Sequence, residues 1–255
     1  MPPAGGEEAG GDDIAARSAE YNIRVVLVLA LDTTTRAGSV ALVRDREVLV
    51  EQAGDPRLTH GQRLPRDLMR ALEAARIALA DIDLLAVAAG PGSFTGLRVG
   101  IATLQGLAMA AGRRIVPVSA LDALARGARN GRDRVAAWMD AQRGEVFAAL
   151  YGPDDSRLVE PSAERPDATL VRWPAAPASD TVRFIGDGAL RYRDVIQRLW
   201  PSSTLLEPVP PLAALVGAIA AEAPERAVLP HAVVPIYIRR SDAEIARATR
   251  RAGAG

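Results

Sequence analysis

The chain contains no cysteine, which excludes a disulfide framework, thiolate zinc sites and cysteine nucleophiles, and suits a cytoplasmic protein. It also contains no lysine, so all 31 basic residues are arginine. They are balanced by 31 acidic residues, and a net charge of zero gives no global field favouring nucleic acid. A protein of this kind that works on RNA needs its grip from elsewhere. Histidine is scarce too, at His60 and His231. The apolar run Val25–Leu31 is far short of the ~20 residues that span a bilayer, and no basic-then-apolar leader opens the chain. No membrane partner is expected.

What is present is ordinary for a globular protein: 255 residues, 49% apolar and 24% charged, enough for one large domain or two small ones. The first 22 residues are rich in Gly, Ala and acid. They read as a disordered extension, or as sequence upstream of a mis-set start.

The stretch Gly90-Pro91-Gly92-Ser93-Phe94-Thr95-Gly96-Leu97-Arg98 stands between an apolar run at Leu84–Ala89 and a second at Leu97–Ala111. Such a turn between strand and helix aims backbone N–H groups at the helix entrance, where a phosphate or carboxylate can sit. It also serves simply as a tight connection, with Ser93 or Thr95 capping the helix. Two sharper readings fail. A Walker loop needs Gly-Lys-Ser/Thr, and there is no lysine. A hydrolase nucleophile elbow needs Gly-x-Ser-x-Gly, and Pro91 and Thr95 hold the glycine positions.

Val25–Asp32 is a continuous apolar run ending in a carboxylate, the pattern of a strand buried on both faces. Strands follow at Ser39–Val43 and Glu47–Glu51, so the chain opens with a three-stranded meander. A helix is expected from about Leu64 or Pro65 to Leu79, its stripe of Leu64, Leu68, Ala71, Leu72, Ala75, Ala78 and Leu79 forming core. Met69 and Ile77 fall off that stripe. The next helix, about Thr95 to Ala111, has no polar face, so its own domain or a partner helix must cover it. Ile115–Val118 is a strand, and Ser119 caps a helix of roughly Leu121 to Arg126.

Beyond Asn130-Gly131 the opening recurs: Val135–Asp140 is a strand ending in Asp, and Glu145–Tyr151 returns. Two copies of strand, Asp, turn, strand suggest a duplicated architecture. A further strand is open at Arg157–Glu160, and Arg165–Asp180 reads as irregular. Val182–Ile185 is a strand, Gly186-Asp187-Gly188 a turn, and Ala189–Leu199 and Pro211–Ala223 are helices. Val233–Arg240 is extended, with Pro235 favouring an edge. The expected organisation is an extension over 1–24, a first domain over 25–129, a second over 130–240 that includes a returning helix and a terminal strand, and a tail over 241–255.

Asp32-Thr33-Thr34-Thr35, Ser39-Val40-Ala41-Leu42, the Gly90–Gly100 block, Asp140-Ala141-Gln142-Arg143-Gly144-Glu145-Val146-Phe147, Gly186-Asp187-Gly188 and Pro235-Ile236-Tyr237-Ile238-Arg239 occur in that order. In these motifs the chain resembles the TsaB (YeaZ) family over about Val25 to Arg240. The resemblance implies an α/β, actin/Hsp70/sugar-kinase-like fold of two related domains, the second reduced. It implies a non-catalytic scaffold subunit for threonylcarbamoyladenosine at tRNA position 37. Such a subunit pairs with the catalytic paralogue TsaD, is joined by the ATPase TsaE, self-pairs when alone and meets tRNA only through the complex. The catalytic relatives hold a metal with His-x-x-x-His. Here His60 is followed four residues later by Leu64, so no metal site is expected and His60 reads as a loop or capping residue.

The fold's phosphate-facing positions fall on Asp32, Thr33, Thr34, Gly92, Ser93, Thr95 and Asp140. No cofactor is required, and weak ATP or ADP binding at the complex interface stays open beside the plainer reading that Asp32 and Asp140 satisfy turn backbone. The family's partner face falls on Leu64, Met69, Ile77, Leu97, Gly100, Ile101, Leu104, Leu107 and Ala108. Two alternatives stand beside the scaffold: a nucleotide hydrolase of the same fold, and a homodimeric interaction module.

Overall fold

Leu27, Leu29 and Leu31 point to one side of the first strand while Val28 and Ala30 point to the other, and all five are buried. A strand apolar on both faces needs a layer on each, and the rest of the fold supplies them. The computed structural model describes residues 25–174 and 181–239. The extension expected over 1–24 and the tail over 241–255 lie outside these residues.

Five strands, β1 (Leu27–Asp32), β2 (Ser39–Arg44), β3 (Glu47–Ala53), β4 (Leu84–Gly90) and β5 (Ile115–Ser119), form a sheet in the order β3-β2-β1-β4-β5. The meander β3-β2-β1 is antiparallel, and β1-β4-β5 is parallel. The second sheet holds β6 (Arg134–Asp140), β7 (Val146–Tyr151), β8 (Arg157–Glu164), β9 (Val182–Ile185) and β10 (Thr204–Leu205), ordered β8-β7-β6-β9-β10. That order, with its antiparallel and parallel pairings, repeats the first sheet. The molecule has the actin/Hsp70/sugar-kinase-like α/β fold, built from two related lobes.

Helices α1 (His60–Ala75) and α2 (Phe94–Ala111) cover the leucine face of the first sheet. Its alanine- and valine-rich face is covered by α7 (Ala213–Glu222), which returns from the far end of the chain through Ala213, Ala214, Val216 and Ala220. Helix α3 (Ala120–Ala128) does the reciprocal job, packing Leu121, Leu124 and Ala125 onto the inner face of the second sheet. The outer face of that sheet carries α4 (Pro166–Arg172) and α6 (Arg193–Leu199), with α5 (Asp187–Arg191) between strand and helix. The second lobe is the reduced copy. Its helices run 7, 5 and 7 residues, where α1 and α2 run 16 and 18. All three tryptophans, Trp138, Trp173 and Trp200, meet around Phe184 in this lobe.

Several local expectations change. Helix α1 starts at His60, a turn early, because the Gln62 side chain accepts the Thr59 N–H at 2.9 Å in a capping box. It stops at Ala75 with Arg76 left-handed at φ 56°, so Ala78 and Leu79 leave the helix. Residues 166–172, expected as irregular, form α4 with Pro166 in its first turn. The Ala189–Leu199 helix is broken at Tyr192 into α5 and α6. Of Val233–Arg240, expected to be extended as a terminal strand, residues 233–239 are described; they join no ladder among the described residues, and the Ile236 N–H donates to Ala89 O at 2.7 Å. No helix among the described residues is long and apolar enough to cross a membrane.

Candidate functional site

The two lobes repeat one local device. Asp32 ends β1 and Asp140 ends β6, and beside each a glycine at the end of the parallel neighbour takes positive φ: Gly90 at 126° and Gly186 at 115°. A Cβ on Gly186 would sit 2.0 Å from Trp138 O, so the glycine turn can lie against the strand end only without a side chain. In the first lobe the Asp32 and glycine turns are bonded directly, Ser93 N–H donating to Thr34 O at 2.9 Å. The loops that follow both devices line a cleft of about 970 Å³ between the lobes. Its walls include Thr34, Pro91–Gly96, Asp140–Arg143 and Asp187, with Arg36, Arg57 and Arg239 at the rim and the chain segment Ile236–Arg239 across it.

The expected phosphate-facing residues divide. Thr34, Gly92, Ser93, Thr95 and Asp140 line this cleft. Asp32 and Thr33 do not. The Asp32 carboxylate is buried and is consumed locally, its Oδ1 accepting Thr34 N–H at 2.8 Å and Thr34 Oγ1 at 2.6 Å. Burial raises its pKa against the lowering effect of those bonds. Thr33 is turned away onto α2 with its Oγ1 unpartnered among the described residues. Ser93, rather than Thr95, caps α2, accepting Gly96 N–H at 3.2 Å.

Asp140 carries its own turn, accepting Gln142 N–H at 3.1 Å and Gln142 Nε2 at 2.8 Å, and it pairs with Arg191 at 2.8 Å. Sequence reasoning left Asp187 out of the site. Its Oδ1 accepts the backbone N–H of Asp140 and of Gly188 at 3.0 and 2.9 Å, and burial raises its pKa. The glycine pair around it, at the end of the strand equivalent to β4, was the available signal.

At the first-lobe rim, His60 is locked. One ring nitrogen, Nε2, lies 3.1 Å from Thr35 O and the other, Nδ1, 2.8 Å from Arg63 Nη2. The carbonyl can only accept and the guanidinium can only donate, so the ring is neutral with its proton on Nε2. Burial first, then the Arg63 charge, lowers its pKa. Arg63 is itself buried, bonded to Ala37 O and to Asp67 at 2.5 Å. Leu64 lies in the core one turn on. Both imidazole nitrogens are therefore committed, and among the described residues no group of three or more metal-binding side chains forms. These residues do not fit the metal pair of the catalytic relatives.

The expected partner face needs a larger correction. Leu64, Leu97, Gly100, Ile101, Leu104 and Ala108 are buried in the first lobe itself. The small residues serve an internal contact: a Cβ on Gly96 would meet Thr33 O at 2.2 Å, and one on Gly100 would meet Thr33 Oγ1 at 2.1 Å. The sheet, α1 and the 230–233 turn, which accepts Gln105 Nε2 at Pro230 O and Val233 O, cover three sides of α2. What remains outside, beyond Thr95 and Arg98 in its first turns, is Ala102, Gly106, Met109 and Ala110, with Leu107 half-buried. Met109 is 72% exposed, and Met69 on α1 is 56% exposed. Ile77 lies past the end of α1 and packs partly against the core.

A family model described as "TsaD: tRNA N6-adenosine threonylcarbamoyltransferase" matches residues 56–247. The tRNA threonylcarbamoyladenosine biosynthesis protein TsaB of Escherichia coli (strain K12) is 44% identical over 133 residues, 51% of this chain and 57% of that protein. The TsaB of Bacillus subtilis (strain 168) is 27% identical over 225 residues, 85% of this chain and 96% of that protein. The solved structure of YeaZ from Pseudomonas aeruginosa superimposes with a TM-score of 0.69 at 32% identity, covering 83% of this chain and 99% of that one. The chain belongs to the TsaB (YeaZ) family of tRNA threonylcarbamoyladenosine biosynthesis proteins.

Proposed function

We propose that this protein is a non-catalytic subunit of the tRNA N6-adenosine(37) threonylcarbamoyltransferase assembly, docking the catalytic paralogue TsaD on the outer side of α1 and α2. The observation that carries this reading is the outer row of α2. Ala102, Gly106, Met109 and Ala110 are exposed and small or apolar, and Met69 is exposed on the neighbouring α1. A face of this kind admits close approach of a second helix pair, and a specific interface there would bury roughly 1,200–2,000 Å² in total. The locked His60 and the buried Leu64 support a role without metal chemistry. On this reading the ATPase TsaE joins the assembly, tRNA is held by the other subunits, no cofactor is required, and the protein works in the cytoplasm.

The test is size-exclusion chromatography with light scattering on the protein alone, with TsaD, and as Gly106→Arg. A side chain at position 106 enters open space, so the variant keeps its fold while blocking the face. The expected result is a heterodimer for the wild type and none for Gly106→Arg. Association undiminished in the variant moves the partner face elsewhere. Failure of the wild type to associate, even with ATP and TsaE, overturns the proposal. Self-pairing through the same face would compete with TsaD in the same experiment.

The interlobe cleft favours a second reading, nucleotide binding or hydrolysis by the chain itself. ATP turnover by the isolated protein, lost in Asp140→Asn, is the result that would establish it.

A further inference from the structure

The motif Pro235-Ile236-Tyr237-Ile238-Arg239 has no part in the docking face, yet each of its residues from 236 onward is anchored, and the anchors lie on different lobes. Ile236 N–H bonds to Ala89 O at 2.7 Å. Its carbonyl approaches so closely that a Cβ on Gly90 would lie 2.5 Å from it. The Tyr237 ring stacks on Phe94 at 4.9 Å between centroids, and Arg98 covers Phe94 at 4.0 Å while its Nε donates to Tyr237 Oη at 3.2 Å. All of these groups belong to the first lobe. Ile238 then packs against the inner core of the second lobe, and Arg239 pairs with Glu145 at 2.6 Å beside β7.

We propose that residues 236–239 are a strap that sets the opening of the interlobe cleft. It fixes the glycine turn of one lobe against the Asp140 loop of the other, across the site that both loops line. Helices α3 and α7, neither of which lines the cleft, cross from lobe to lobe, and Arg126 on α3 pairs with Glu222 on α7 at 2.5 Å; this crossing serves as the hinge. With a hinge behind and a strap in front, the two anchors of the strap decide how far the lobes rotate apart. The second-lobe anchor is the weaker end: the Arg239–Glu145 pair is about 30% exposed on both sides and is of the kind solvent weakens. The strap is therefore releasable without unfolding either lobe.

The chain has no cysteine, so Gly61→Cys on α1 and Asp194→Cys on α6 give a uniquely spin-labelled pair whose distance distribution reads the lobe separation. In this background the strap is challenged with Arg239→Glu, with Tyr237→Ala and with the exchange Glu145→Arg/Arg239→Glu. The expected result is a single narrow distance with the native strap, a longer or broader one in both single-anchor variants, and recovery of the narrow distance in the exchanged pair. In parallel the Ile236 amide exchanges its hydrogen about ten-fold faster or more in Tyr237→Ala, as for a local opening. Distributions in Arg239→Glu and Tyr237→Ala that superimpose on the native one overturn the proposal. So does an exchanged pair that stays as broad as Arg239→Glu although its circular dichroism is native.

Discussion

Gly96 and Gly106 stand on the same helix and, by propensity alone, replacing either with alanine favours the helix by at most about 1 kcal/mol. The structure separates them. A Cβ at position 106 meets nothing within 4 Å, whereas one at position 96 lies 2.2 Å from Thr33 O. That oxygen is backbone, fixed at the end of β1, and no rotamer change moves it away. Overpacking of this type costs roughly 1–3 kcal/mol, and a rigid neighbour puts it at the upper end. Net of propensity, Gly96→Ala loses about 2 kcal/mol and Gly106→Ala gains up to about 1 kcal/mol. The two variants thus differ by about 3 kcal/mol, and Gly106→Ala melts roughly 2–4 °C above the wild type. Urea unfolding should be followed by far-UV circular dichroism, because the tryptophans all lie in the other lobe. The reasoning is refuted if Gly96→Ala is as stable as the wild type, or if both substitutions shift stability in the same direction.

His60 gives a pH signature. Its folded pKa is below the ordinary value of 6.5, so the unfolded chain binds the proton first as pH falls. Its contribution is complete above about pH 6.5 and is lost on acidification through the lowered value. The urea midpoint of the wild type should fall relative to that of His60→Gln between about pH 7 and pH 5, and parallel pH profiles would exclude the locked neutral ring. Asp32 has the opposite sign: burial raises its pKa, so its charge opposes folding at neutral pH. Asp32→Asn, which keeps Oδ1 as acceptor for Thr34, should unfold at higher urea than the wild type at pH 7. That advantage should shrink as acid protonates the native aspartate, and a less stable Asp32→Asn would show that the carboxylate is needed as a charge.

The central strands were legible because burial on both faces leaves an unbroken apolar run, as at Val28–Leu31. The duplication was legible because Asp32 and Asp140 end equivalent runs. Helix limits were less so. The Thr59–Gln62 box that starts α1 is a four-residue signal upstream of the apolar stripe, and Pro65 masks it by suggesting a later start. Val233–Arg239 has strand-forming residues, but its path is decided by contacts with Ala89, Phe94 and Glu145 far away in the chain. Helix α2 defeats periodicity altogether, since a segment apolar all round cannot say which side its own sheet covers. The reason for Gly96 and Gly100 is one residue, Thr33, and nothing near them in the chain points to it. The outer row could be found only after the inner one had been accounted for.

The inequality of the two lobes has a consequence for assembly. The long helix pair α1 and α2 occurs once, and the second lobe answers it with helices too short to offer a like surface. If the docking proposed on α1 and α2 holds, self-pairing by helix pair has a valence of one. Pairing through it uses the face up on both members and ends the process, whereas open growth requires two different faces that match head to tail. On the docking proposed above, a duplicated chain that had kept both helix pairs would carry two such faces, as a link in a filament does; the shortened helices of the second lobe leave this chain the one.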